Sequence, residues 1–142
     1  MEPRLDLLVI NPGGRQKIYQ NLGANLIAVE PPLWSRLIAG FAIDHGHKTE
    51  IIDAEAMEWG PNRVVEEVEE RAPLLVAIVV FGHQPSASTQ QMAFASELCA
   101  ILKNSNKKRP LIILGGHVSA LPELTLRNEA VDYVCNGEGP ET

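Results

Sequence analysis

The stretch Leu111-Ile112-Ile113-Leu114-Gly115-Gly116-His117-Val118-Ser119 decides how this chain is read. Four apolar residues in a row, cut off by two glycines, describe a strand buried on both faces that runs into a tight turn. Glycine at both turn positions permits positive φ and lets backbone N–H groups come close to a ligand. In an open α/β sheet, ligands bind in the crevice beyond the carboxyl ends of the strands. A glycine pair there is a candidate cofactor contact. A plain strand-to-helix turn has the same sequence, so this segment leaves both readings open.

Outward from that strand the chain alternates. Toward the C-terminus, Pro122 and Glu123 suit the first turn of a short helix through Leu126, and Val131 to Cys135 forms a last strand. Toward the N-terminus, a helix carries Met92, Ala95, Leu98 or Cys99, and Leu102 inward, with Ser86 or Ser88 as its cap. Before it, Leu74 to Phe81 is the longest apolar run and the expected central strand. A helix with Val64, Val65 and Val68 inward turns Glu66, Glu67, Glu69 and Glu70 to solvent. Lys48 to Asp53 is an earlier strand, preceded by a helix that opens at Pro31-Pro32 and stops at Gly46. Its apolar stripe is expected at Leu33, Leu37 and Phe41, with Ile38 alongside. Leu5 to Ile10 is the first strand, ending at Asn11-Pro12-Gly13-Gly14. From Asn11 to about Pro31 the chain shows little regular patterning, and loops of such length are usually functional.

Five strands alternating with four helices predict an α/β domain of the flavodoxin-like (Rossmann-like) kind. It is an open parallel five-stranded sheet in the order 2-1-3-4-5, with helices on both faces. All 142 residues fit one domain. Hydrophobic residues make up 45% and charged residues 21%, which excludes a disordered or fibrous chain. No apolar run approaches the roughly 18 residues of a membrane span, so no membrane span is expected. The net charge of −6 argues against a nucleic-acid surface, which needs a basic stripe. Cys99 and Cys135 are placed as buried thiols rather than a pair, which suits a reducing compartment and a cytoplasmic location. Trp34 is assigned to packing, while Trp59 and Tyr19 are left open between packing and a ligand face.

The nucleotide motifs fail. No Gly-Lys-Ser/Thr follows the first strand, and Asn11-Pro12-Gly13-Gly14-Arg15-Gln16 lacks dinucleotide spacing. The carboxylates and lysine of a phospho-receiver are missing, with Asn11, Val80-Phe81 and Asn136-Gly137 in their places. His45 and His47 sit at a helix end, where an imidazole is favourable. His83 and His117 lie just past adjacent central strands, from which they could face one ligand from two loops; hydrogen bonding or packing is their simpler role than metal ligation. There is no G-x-S-x-G elbow and no self-contained catalytic centre. What remains is a rim of small and polar groups after strands one, three, four and five, at Asn11 to Gly14, Gly82 to Thr89, Gly115 to Ser119 and Gly137 to Gly139. So wide a rim suits a large, flat, mostly uncharged cofactor.

At this point the residues resemble a known family. Pro31-Pro32-Leu33 before a helix ending in His45-Gly46-His47, followed by Glu50-Ile51-Ile52-Asp53-Ala54, is similar to the start of the N-terminal B12-binding domain of cobalamin-dependent radical S-adenosylmethionine (SAM) enzymes. Gly115 to Glu123, then Val131-Asp132-Tyr133-Val134 and Gly137-Glu138-Gly139-Pro140-Glu141-Thr142, resembles that family's most distinctive block. The resemblance covers essentially the whole chain.

The resemblance implies cobalamin held across the carboxyl edge, its nucleotide tail beside the loops after strands three, four and five. Gly115 and Gly116 would let the tail pass, with His117 and Val118 beside them; Ser86, Ser88 and Thr89 would supply hydroxyls. Gly137 and Gly139, around Glu138, would let the last loop close. Asn11, Pro12 and Gly13, and Gly82, His83 and Gln84, complete the implied cofactor-binding set.

Better-known B12 domains, such as that of methionine synthase, carry Asp-x-His-x-x-Gly after strand one. This chain lacks it, so base-off binding is expected, and His83 is the candidate for the lower cobalt face. The family's catalytic half carries Cys-x-x-x-Cys-x-x-Cys for a [4Fe-4S] cluster and S-adenosylmethionine. Cys99 and Cys135 cannot form that motif, so the radical SAM domain, of a methyltransferase or related enzyme, is expected beyond Thr142 of the same polypeptide. Alone, this domain should bind and not catalyse. The alternative is a flavodoxin-like interaction or regulatory domain without cobalamin.

Overall fold

The computed structural model describes residues 4–14, 29–81, 85–105, 109–137 and 139–141. Its elements in chain order are β1 (Leu7–Asn11), α1 (Leu33–Asp44), β2 (Thr49–Asp53), α2 (Pro61–Arg71), β3 (Leu75–Val79), α3 (Pro85–Asn104), β4 (Leu111–Leu114), α4 (Gly116–Ala120), α5 (Pro122–Asn128) and β5 (Tyr133–Val134), with a 3₁₀ turn at Gly139–Glu141. The sheet has five strands in the order β2-β1-β3-β4-β5, all parallel, as the sequence predicts.

The period of two along each strand divides the core. Leu8 and Ile10, Val76, Ile78 and Val80, and Leu111 and Ile113 point to one side, where they meet Val64 and Val68 of α2 and Phe94, Ala95, Leu98, Cys99 and Leu102 of α3. Val9, Ala77, Val79 and Leu114 point to the other, where they meet Ala39 of α1 and Cys135. Each fully buried Leu or Ile contributes about 1.5–3 kcal/mol relative to exposure. Cys99 and Cys135 are buried and unpaired as expected, and burial pushes the Cys99 thiol up to about 12.

The amino edge is closed by the backbone. Asp6 N–H and Leu7 N–H donate to the Lys48 carbonyl, and Lys48 N–H donates to the Asp6 carboxylate. Asp132 ties β5 to β4, accepting from Leu111 N–H at 2.8 Å and pairing with Lys103.

Several expectations change. The inward side of α1 is Ser35 and Ala39, whereas Leu33, Leu37 and Phe41 are 56%, 51% and 40% exposed. The helix is apolar nearly all round, and the small residues let it lie close to the sheet while the large ones turn outward. Glu67 is buried rather than solvated, because Arg63 and Arg71, one turn away on either side, fold over it and pair with it. Helix α3 begins at Pro85, which places Ser86 and Ser88 in its opening turns. Two short helices, α4 and α5, replace the single short helix expected between β4 and β5. Strand β5 is only Tyr133–Val134, shorter than the Val131 to Cys135 run. Among the described residues, no helix is long and apolar enough to cross a membrane.

Candidate functional site

Every parallel strand ends on the same edge, so the turns after β1, β3, β4 and β5 gather there. After β1, Asn11 is committed to the scaffold. Its side-chain amide donates to Asp53 Oδ1 at 2.8 Å and its carbonyl accepts from Ala54 N–H, which joins the loop after β1 to the loop after β2. Pro12 and Gly13 are buried. A Cβ on Gly13 would lie 3.3 Å from the Ala54 carbonyl oxygen and 3.4 Å from the Phe94 ring, so the space beside it is already used.

Gly115 is the sharpest case. It has φ +144, and a Cβ there would lie 1.9 Å from the Val80 carbonyl oxygen, whose own N–H donates to the Leu114 carbonyl at 2.8 Å. The residue must be glycine because β3 passes beside it, whatever binds above. Gly116, by contrast, is exposed as the first residue of α4, and the nearest group to a Cβ on it would be the Phe81 ring edge at 3.5 Å. The Val118 side chain is fully buried in the larger core, which leaves its backbone for a ligand. His117 lies between them, half-buried on α4.

The last loop is pinned from beneath. Ser119 Oγ donates to the Cys135 carbonyl at 3.2 Å and lies 3.5 Å from the Gly137 carbonyl. Gly137 is exposed with φ +128 and open space on its side-chain side, so its backbone conformation alone calls for glycine. A Cβ on Gly139 would meet Leu114 at 3.0 Å and Ile38 at 3.6 Å, so the 3₁₀ turn rests on β4 and α1.

Of the predicted site residues, the structure thus gathers Asn11, Pro12, Gly13, Gly115, Gly116, His117, Val118, Gly137 and Gly139 on one edge. Ser86, Ser88 and Thr89 belong to the opening turns of α3. Gly82, His83, Gln84 and Glu138 lie outside the described residues, as does Tyr19.

Two features were not legible beforehand. Trp34 is not simply packed. It is 41% exposed, with its ring centroid 4.3 Å from that of Phe81 at a 41° tilt. Ser35, next to it, is buried with a hydroxyl that has no hydrogen-bond partner in the structure. A buried hydroxyl left unsatisfied costs about 1–3 kcal/mol, and this one lies on the sheet-facing side of α1, inside the core. The exposed glycine backbone and the half-open aromatic pair together fit a large ligand that is mostly flat. Among the described residues no group of three or more His, Cys, Asp and Glu is placed to hold a metal ion.

Residues 19–142 match the family model described as the B12 binding domain. A protein of Pyrococcus horikoshii described as an uncharacterized methyltransferase is 30% identical over 139 residues, which are 97% of this chain and 28% of that protein. Among solved structures, the radical S-adenosylmethionine methyltransferase TsrM of Kitasatospora setae, with tryptophan substrate and a SAM analogue bound, superposes with a TM-score of 0.68 at 18% identity. The match covers 98% of this chain and 24% of that one. At that identity the likeness is one of fold. The chain spans about a quarter of the length of either relative.

Proposed function

The chain belongs to the B12-binding domain family, and from that premise we propose that it is the cobalamin-holding module of a radical SAM methyltransferase or a closely related enzyme. The observation that supports this most directly is that the carboxyl ends of all five parallel strands lie on one sheet edge, with exposed glycine backbone there at Gly116 and Gly137. Bound cobalamin would supply a cobalt centre able to accept and donate a methyl group. The protein's own contribution is to bind the flat ring, orient it and keep its tail apart from the reacting face.

In this reading Gly116 to Val118 and Gly137 to Gly139 hold the cofactor through backbone groups, and Ser86, Ser88 and Thr89 offer hydroxyls from α3. Gly115, Gly13 and Asn11 act indirectly by shaping the edge. Asn11-Pro12-Gly13-Gly14 has no histidine to offer cobalt. We therefore assign base-off binding, with His83, two residues after Phe81, as the side chain nearest in sequence for the lower face. The catalytic half, with its [4Fe-4S] cluster and S-adenosylmethionine, would belong to the remaining length seen in the relatives.

The test is a titration of the 142-residue chain with hydroxocobalamin, followed by removal of free cofactor and a visible spectrum. Stoichiometric retention with a base-off spectrum is expected. A chain that stays colourless at high cofactor concentration would favour an interaction domain instead. An unchanged spectrum in His83→Ala would remove His83 from the cobalt.

A further inference from the structure

The aromatic pair at the start of α1 has no counterpart in the rim of small and polar residues. Pro31 and Pro32 bring the chain into α1: Leu33 N–H donates to the Pro31 carbonyl at 2.8 Å, and Arg36 N–H closes the first helical turn on the Pro32 carbonyl at 3.0 Å. Trp34 then lies against Phe81, the second residue after β3, with 41% of its surface in solvent. Phe81 in turn reaches Gly116 at the head of α4, and one turn along α1 Ile38 lies beneath Gly139. The indole is therefore the exposed end of a continuous apolar corner made by α1 and the ends of β3, β4 and β5.

A half-exposed tryptophan beside a cofactor edge asks for a flat apolar partner. Cobalamin has one flat aromatic group of indole size, the base of its nucleotide tail. The corrin ring is a poorer partner, because methyl and amide arms project from both of its faces along the perimeter and hold a second flat ring away. A stacked base is also tolerant of detail, since any aromatic base presents a π-face. The alternative role for Trp34, structural packing, is met by the side of the indole already on Phe81 and leaves the open side unexplained.

We infer that Trp34, seated on Phe81, stacks on the base of the cobalamin nucleotide tail and so makes this domain prefer complete cobalamin over corrinoids that lack the tail. This rests on the cobalamin reading above and adds a specificity-determining residue to it.

The experiment compares hydroxocobalamin with aquocobinamide, which has the same corrin and no nucleotide, on the wild-type chain, Trp34→Ala and Trp34→Phe. The expected result is a loss of affinity for hydroxocobalamin of about tenfold in Trp34→Ala, no change for cobinamide, and recovery of most of the loss in Trp34→Phe. Equal loss for both ligands, or none for either, overturns the inference. A second measurement needs no variant to bind. The chain has two tryptophans, Trp34 and Trp59, and two indole N–H signals that Trp34→Phe tells apart. Ring current from the base should move the Trp34 signal with cobalamin and not with cobinamide, leaving Trp59, which lies under the Arg63 guanidinium, in place. A Trp34 signal that stays still while cobalamin is visibly bound overturns the stacking alone. A wild-type chain that takes up neither corrinoid overturns the cofactor reading itself.

Discussion

The two faces of the sheet are built differently. One face carries Leu8, Ile10, Val76, Ile78, Val80, Leu111 and Ile113 beneath two helices, α2 and α3, that also pack on each other. The other carries Val9, Ala77, Val79 and Leu114 beneath α1, which offers Ser35 and Ala39 inward and turns Leu33, Leu37 and Phe41 to solvent. The first face is a thick core that holds the fold. The second is thin, has an unsatisfied hydroxyl within it and an aromatic pair at its carboxyl corner. Stability is concentrated on one side of the sheet, and apolar surface still open to a partner or ligand lies on the other.

The largest effect should come from the seam between β3 and β4, which both faces share. Gly115→Ala places a Cβ 1.9 Å from the Val80 carbonyl oxygen at φ +144, so one strand end must move. A loss of at least about 3 kcal/mol is expected, seen as loss of a cooperative thermal transition. A melting curve like that of the wild type would mean the seam is not rigid. On the thick face, Ile78→Ala should cost about 2–5 kcal/mol in chemical denaturation, because it leaves a cavity at the sheet centre. Gly137→Ala should cost only about 1–3 kcal/mol, since φ +128 is strained for alanine but nothing obstructs the methyl.

Acid should weaken the thick side through α2. The Arg71 hydrogen bond holds the Glu67 carboxyl below its ordinary range, burial opposing it and Arg63 adding to it. On acidification the unfolded chain therefore takes up this proton first. The stabilisation is whole above about pH 4.5 and is lost as the pH falls below that, through the folded-state value. Between pH 6 and pH 3 the wild type should lose more stability than Glu67→Gln; parallel losses would separate Glu67 from acid sensitivity. The smallest effect belongs to the thin face, where Leu37→Ser should change stability by no more than about 0.5 kcal/mol. A much larger loss would show that the outer stripe of α1 is covered in the folded chain.

The same contrast explains what could be seen in the sequence. Leu111 to Leu114 and Leu75 to Val79 are buried on both faces, so unbroken apolar runs betrayed them, and the glycine and proline clusters marked where they end. The alternation of strands and helices implied a parallel sheet, and the flavodoxin-like order favoured for five strands is the one observed. The orientation of α1 did not follow, because Leu33, Trp34, Leu37, Ile38, Ala39, Phe41, Ala42 and Ile43 surround the helix and periodicity picks no inward side. Only the close approach to the sheet selects Ser35 and Ala39. Glu67 was misplaced for a similar reason: its burial depends on Arg63 and Arg71 reaching back over it, a property of the folded surface. The glycines teach the most about the site. A sequence shows that a side chain is missing, not what occupies its place. At Gly115 that is the Val80 backbone just past β3, at Gly139 it is Leu114 and Ile38, and among the described glycines of the rim Gly116 and Gly137 are the exposed ones.

The account stands or falls on where cobalamin sits. The direct measurement is nuclear magnetic resonance of the ¹⁵N-labelled chain with paramagnetic cob(II)alamin, in which cobalt broadens the amides near it. Broadening is predicted at Asn11, Gly13, Gly14, Phe81, Gly115 to Ser119, Gly137 and Gly139, while Lys48, Leu74 and Leu111 at the opposite edge stay sharp. Broadening centred on the amino edge, or none at saturating cofactor, would contradict it.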